Sequence, residues 1–266
     1  MRRLRETAGL TIDDAAETLL CDRSKINRIE TGHRGVRLID LRLLLERYGV
    51  TDQTRRAELT QMAKDARRKD WWDSRYGDLL SEHAYSDYLM LENDAQWLRC
   101  YEALLVPGLL QSEEYARAIF AASRPEATAE QIDALVEVRL ARQENLDDLR
   151  FWAVIDEAAL RRPIGGVAVM RDQLQCLAKK RKGVTLQVLP FAAGAYPGMD
   201  GSFVLLGFSD RADPNAVWQE NLGGSLFLED PEDVDRYTQV YEYLKAQALG
   251  PSESREMIVH LAEELR

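Results

Sequence analysis

The spacing of apolar residues changes between positions 151 and 190, and that change restricts the fold of this chain more than any other feature. Residues 151–156 form a short apolar run. From Gly166 to about Lys182, Met170, Leu174 and Leu177 repeat on one side of a helix. Val184-Thr185-Leu186-Gln187-Val188 then alternates with period two and stops at Pro190. A strand, a helix and a strand of these lengths make a βαβ unit, which predicts two parallel neighbours and a right-handed crossover. Three more strand-like runs, 203–208, 216–219 and 225–228, read as a meander. Before the unit, 96–101 reads as a strand, and 106–110 as an apolar turn in which Pro107 blocks a helix. Ser112 caps a helix carrying Tyr115, Ala116 and Ile119, and Thr128 with Gln131 is a capping box for a helix to about 146. Helices over 231–248 and 252–265 close the chain. This part is predicted to be α+β with one mixed sheet.

The first part has only the helical period. Residues 1–8 read as a short basic helix stopped by Gly9. Thr11 caps the next, where Ile12, Ala15, Ala16 and Leu19 share a face. Asp22 is placed to cap a third. Residues 37–48 follow, with Leu41, Leu44, Leu45 and Tyr48 inward and Gly49 at the stop. Leu59, Met62, Ala63 and Ala66 give a last stripe, running into Arg67-Arg68-Lys69 and Trp71-Trp72. The domain change is placed there: an all-α helix-turn-helix domain over 1–69 and a larger α+β domain over 70–266. Residues 76–94 open the second domain as a helix.

The third helix of the first domain carries the candidate function. Ile26 and Ile29, three apart, lie on one face. Ser24, Asn27 and Arg28 fall on the opposite face, with Arg23 and Lys25 flanking. A short helix with an apolar inner stripe and a cationic, hydrogen-bonding outer one suits the major groove of double-stranded DNA. Charge distribution agrees. Residues 1–69 hold sixteen Lys and Arg against eleven Asp and Glu, a balance of +5; with the whole chain at −10, the remainder carries −15. Such asymmetry separates a polyanion-binding part from one that is not. Arg23, Lys25, Arg28, Arg34 and Arg37 can neutralise phosphates, while Asn27 and Arg28 have the chemistry of base readers.

Cys21, Cys100 and Cys176 are odd in number and widely spaced, and His33, His83 and His260 form no ligand pair. Neither a disulfide framework nor a metal site is expected, and no cofactor. A reducing cytoplasm is the expected setting, on the nucleoid. No apolar run reaches the roughly eighteen residues of a membrane span, and no membrane association is expected. Catalysis is not expected either. Asp156, Glu157 and Asp200, with the Gly-rich loop 194–201, are the candidate carboxylate cluster. However, Asp156-Glu157-Ala158-Ala159 reads as a helix start, and neither a phosphate loop nor a nucleophile elbow is present.

Several segments carry a family likeness. Arg5-Glu6-Thr7-Ala8-Gly9-Leu10-Thr11, then Ser24-Lys25-Ile26-Asn27-Arg28-Ile29-Glu30-Thr31-Gly32, resemble the phage-repressor-like (Cro/C1, or XRE) helix-turn-helix family. Val106-Pro107-Gly108-Leu109-Leu110-Gln111, Tyr115-Ala116-Arg117-Ala118, Arg139-Leu140-Ala141-Arg142-Gln143, the run from Asp156 to Pro163 and Val188-Leu189-Pro190-Phe191 are similar to actinobacterial WhiJ-like regulators with an antitoxin-like second domain. The resemblance implies a transcriptional regulator of development or secondary metabolism, acting as a homodimer on an operator. It implies a small protein partner encoded nearby; a small-molecule effector in the second domain is the alternative. By motif, Arg23, Ser24, Lys25, Asn27 and Arg28 would contact DNA, with Arg34 and Arg37 near its backbone. Ile12 stands where many relatives place a Gln that braces a phosphate contact. The resemblance also implies a longer first helix than the segment from Met1 supplies, with residues upstream.

Overall fold

The computed structural model describes residues 1–19, 21, 23–31, 36, 38–65, 85–147, 149–208, 215–221 and 224–265. The chain divides into two compact units, Met1–Gly77 and Asp78–Arg266. The domain change placed after residue 69, its basic run and its two tryptophans lie outside the described residues. So do Ala66, Asp22 as a cap and the helix expected over 76–84.

The first unit is helical: α1 Arg2–Thr7, α2 Ile12–Thr18, α3 Arg23–Glu30, α4 Leu38–Arg47 and α5 Gln53–Asp65. The Thr11 hydroxyl accepts from Asp14 N at 3.2 Å, and Asp14 Oδ2 accepts from Thr11 N at 2.7 Å, closing a capping box. Ala15 and Ala16 are buried against Ile26, Leu44 and Tyr48. Two small residues in α2 let α3 cross it closely. Leu41, Leu45 and Ala63 make the second buried group, with Leu59 packed on it. Met62 is half exposed, contrary to its place in the expected stripe. It stands about 100° round α5 from Ala63, and only the Leu59–Ala63 line faces α4.

The second unit is built on one six-stranded mixed sheet in the order β3-β2-β1-β4-β5-β6. The strands are β1 Trp97–Glu102, β2 Arg150–Asp156, β3 Val184–Leu189, β4 Phe203–Gly207, β5 Ala216–Asn221 and β6 Gly224–Leu228. β2 and β3 pair in parallel from Phe151↔Val184 to Asp156↔Leu189, as the βαβ spacing requires. β1 is parallel to β2 as well, and β4, β5 and β6 form the antiparallel meander on its far side. Helices in this unit are α6 Tyr85–Asp94, α7 Glu113–Ser123, α8 Ala129–Arg142, α9 Glu157–Arg161, α10 Val167–Ala178, α11 Pro231–Gln247 and α12 Pro251–Glu264. The helix expected to reach residue 146 stops at Arg142 and continues as a 3-10 turn, Gln143–Asp147.

α11 crosses one face of the sheet. Val234, Tyr241 and Leu244 pack there on Tyr101, Val154, Leu189, Phe203, Leu205 and Val217. Each such buried side chain contributes about 1.5–3 kcal/mol. Gln187 belongs to this covered face. Although polar, it is buried. Its amide is fully occupied: Oε1 accepts from Trp152 Nε1, and Nε2 donates to the carbonyls of Lys245 and Leu249. The outer edge of β3 is also closed. Val188 O accepts from Leu249 N, and Val188 N donates to the hydroxyl of fully buried Ser254. An edge strand covered in this way cannot recruit another strand.

Candidate nucleic-acid interface

Helix α3 has the two faces expected of it. Ile26 and Ile29 are buried, and Asn27 and Arg23 are exposed. Arg23 and Asn27 are four residues apart and so share the outer face. Ser24, Lys25 and Arg28 stand on the same helix, with side chains outside the described set; Arg34 and Arg37 lie outside the described residues altogether.

Besides its buried isoleucines, α3 is held by a partner from another helix. Arg5, near the end of α1, reaches Glu30, the last residue of α3. Nε donates to Glu30 Oε1 at 2.8 Å and Nη2 to Oε2 at 2.9 Å, while Nη1 donates to Leu10 O at 2.8 Å. Both partners are buried, their side chains 7% and 3% exposed. A two-pronged, charge-assisted pair of this kind fixes direction as well as distance. The Tyr48 hydroxyl lies buried close by, and its burial pushes its pKa up to about 12, so it stays protonated. A second ion pair, Arg23 Nε to Asp13 Oδ1 at 3.1 Å, is exposed on both sides. It contributes little to stability. A phosphate taken by Arg23 would have to displace Asp13.

In the second unit two of the three expected carboxylates, Asp156 and Glu157, are engaged by their own chain, while Asp200 is exposed on the loop before β4 and is not brought to them. Asp156 caps α9 by accepting from Ala158 N, and its other oxygen accepts from the Tyr196 hydroxyl at 2.5 Å. Tyr196 shares a further hydrogen bond with Tyr101. Glu157 accepts from Arg161 Nε and from Phe191 N. Two of the segments picked out by family likeness, 106–111 and 139–143, meet in one hydrogen-bonded knot. Gln111 Nε2 donates to Val106 O, and Gln111 Oε1 accepts from Arg139 Nη1. Gln143 Nε2 donates to the carbonyls of Gly108 and Gln111. Gln173 serves Leu110 O and Ser112 N from α10. A turn buried between helices needs such partners for its backbone groups, and three glutamine amides supply them. Gly108 makes room: a Cβ there would stand 3.2 Å from Arg139 Nη1.

Beside the knot, a cavity of about 30 Å³ is lined by Tyr88, Cys100, Glu102, Gly108, Arg142 and Phe151, among others, and has room for about one water. Burial pushes the Glu102 carboxyl up to about 7, against the opposing pull of Ser202 and Arg139. The folded state then holds this proton more tightly than the unfolded state. Stability therefore declines as pH rises from the ordinary carboxylate range through about 7. Glu102→Gln is expected to flatten that decline, as read from urea midpoints at about pH 5 and about pH 8; an unchanged slope would remove Glu102 as its source.

Residues 85–260 match the family described as a domain of unknown function, DUF5753. Residues 1–59 match a helix-turn-helix domain. No curated protein and no solved structure matches the chain.

Proposed function

The chain belongs to the DUF5753 family and is a DNA-binding regulator with an N-terminal helix-turn-helix domain, and from that premise we propose a sequence-specific, dimeric transcriptional regulator whose second unit binds a small partner protein. The observation that carries the DNA reading is the two-sided α3, with Ile26 and Ile29 inward and Arg23 and Asn27 outward. Asn27 would pair with adenine and Arg28 with guanine or phosphate, while Arg23, Ser24, Lys25, Arg34 and Arg37 would hold the backbone. One such module meets only a few base pairs, so a twofold dimer on two half-sites about one helical turn apart supplies specificity. The WhiJ-like resemblance supports a developmental role and an antitoxin-like second domain, and a DNA-bound regulator belongs in the cytoplasm on the nucleoid.

We take the second unit to be a binder without catalytic activity. Asp156 and Glu157 are supported in structural roles by their caps and ion pairs. A small-molecule effector is the second reading. The cavity beside Glu102 and a shallow groove of about 210 Å³ between α10 and α12 both fall below the roughly 300–1,000 Å³ of drug-sized pockets, which favours a protein partner.

Genome-wide mapping of bound DNA would give the operator, and shift assays on it test the residues. Asn27→Ala is expected to cost about 1–3 kcal/mol at one base position and to relax the choice of base there. Arg23→Ala is expected to weaken all duplexes alike and to lower the salt slope by about one contact. Unchanged affinity in both variants would rule out α3 as the reading helix.

A further inference from the structure

We propose that the loops at the carboxyl ends of β1 and β3 are the surface on which a second copy of this chain docks, with Leu104, Phe191 and Met199 as its apolar core. Among the described residues these are the three most exposed large apolar side chains, at 59%, 58% and 67%. They come from separate parts of the sequence but stand at one end of the sheet. Leu104 lies two residues beyond β1, and Phe191 two residues beyond β3. The loop carrying Met199 is tied to the same end. Tyr196 bonds to Asp156 at the end of β2 and to Tyr101 near the end of β1. Ser202 Oγ accepts from Ala103 N, and a Cβ on Gly198 would meet Leu244 and Tyr101. Large apolar side chains left exposed on loops at one end of a sheet suit a protein contact.

Charge selects the occupant. Asp78–Arg266 holds eighteen Lys and Arg against thirty-two Asp and Glu, a net −14. Two copies of such a unit repel unless they meet through a face without charge. Residues 184–208 contain no Lys or Arg and one acid, Asp200, over twenty-five positions. A twofold contact sets a patch against itself, so an uncharged apolar patch is self-complementary where a charged one is not. The inference rests on the dimeric reading above and adds the surface.

Sedimentation equilibrium of the full chain tests it, comparing the native protein with Phe191→Asp/Met199→Asp. Both positions are exposed, so far-UV circular dichroism and the melting temperature should be unchanged; Phe191→Ser/Met199→Ser replaces the pair if they are not. The expected result is a native dimer and at least about tenfold weaker association in the variant. Val167→Asp/Val259→Asp, on other exposed apolar positions, should leave the dimer intact. A variant that dimerises as the native chain does would overturn the placement and leave the dimeric reading standing. A native chain that is monomeric with and without DNA would remove both. A variant that keeps its dimer but loses binding to an identified protein partner would give the surface to that partner instead.

Discussion

Replacing Arg142 with alanine is expected to lower the stability of the C-terminal unit by about 3–5 kcal/mol. Arg142 ends α8, and its guanidinium meets Glu92 of α6 through two hydrogen bonds, Nε to Oε1 at 2.7 Å and Nη2 to Oε2 at 2.6 Å. Both side chains are less than a tenth exposed. The Tyr88 hydroxyl donates to the same carboxylate, and the guanidinium lies 5.4 Å from the Tyr88 ring centroid. Truncating Arg142 leaves the Glu92 charge buried with only a neutral donor, and that uncompensated charge is the larger part of the loss. Changing both residues together, Glu92→Leu with Arg142→Met, removes the charge along with the pair and should recover much of the stability. Arg142→Lys should fall between, because an ammonium cannot span both oxygens in one plane. Urea unfolding followed by tryptophan fluorescence gives all of these values. A single-variant loss under about 1 kcal/mol would show that the pair is hydrated in solution and does not hold α6 to α8.

That pair also shows where sequence reasoning ended. Fifty positions separate Glu92 from Arg142, and twenty-five separate Arg5 from Glu30. No periodicity links residues so far apart. Signals that act within a turn or two were legible. The Thr11 and Ser112 caps and the Thr128 box form as expected, because each is a contact between positions three apart. The βαβ unit was legible because chain connectivity alone restricts two strands joined by a helix. The place of β1 was not: its parallel register with β2 spans two intervening helices, and nothing in its six residues distinguishes a parallel neighbour from an antiparallel one. The surroundings of Gln187 were hidden for a related reason. Period-two alternation says nothing of what covers a polar side chain; here α11 does, and Lys245 of α11 and Leu249 just beyond it supply the carbonyls. On α3, the inward isoleucines and the exposed Arg23 and Asn27 followed from the helical period. The Asp13 partner of Arg23, contributed by a neighbouring helix, did not.

Glu30→Ala should have the second large effect, and it should be felt at DNA without touching DNA. Arg5 is deprived of both Glu30 oxygens and keeps Leu10 O, with the half-exposed Glu6 carboxylate 3.8 Å away, so a buried cation loses its two-pronged partner. The cost is again about 3–5 kcal/mol. Because Glu30 ends α3 and Arg5 belongs to α1, the loss falls on the contact that ties α3 to α1. Hydrogen exchange should show the amides of α1 and α3 losing protection, while those of β1 and β2 keep it. DNA affinity should fall for every duplex, specific or not, in contrast to the effect at one base position expected of Asn27→Ala. The paired change Arg5→Met with Glu30→Leu separates the two roles of the bridge. If the ions serve only to fill space, the double variant regains both stability and binding. If they also set the direction of α3, stability returns but discrimination between operator and random duplex does not. A Glu30→Ala chain with native protection in α3 and native affinity would refute the view that this bridge positions the helix.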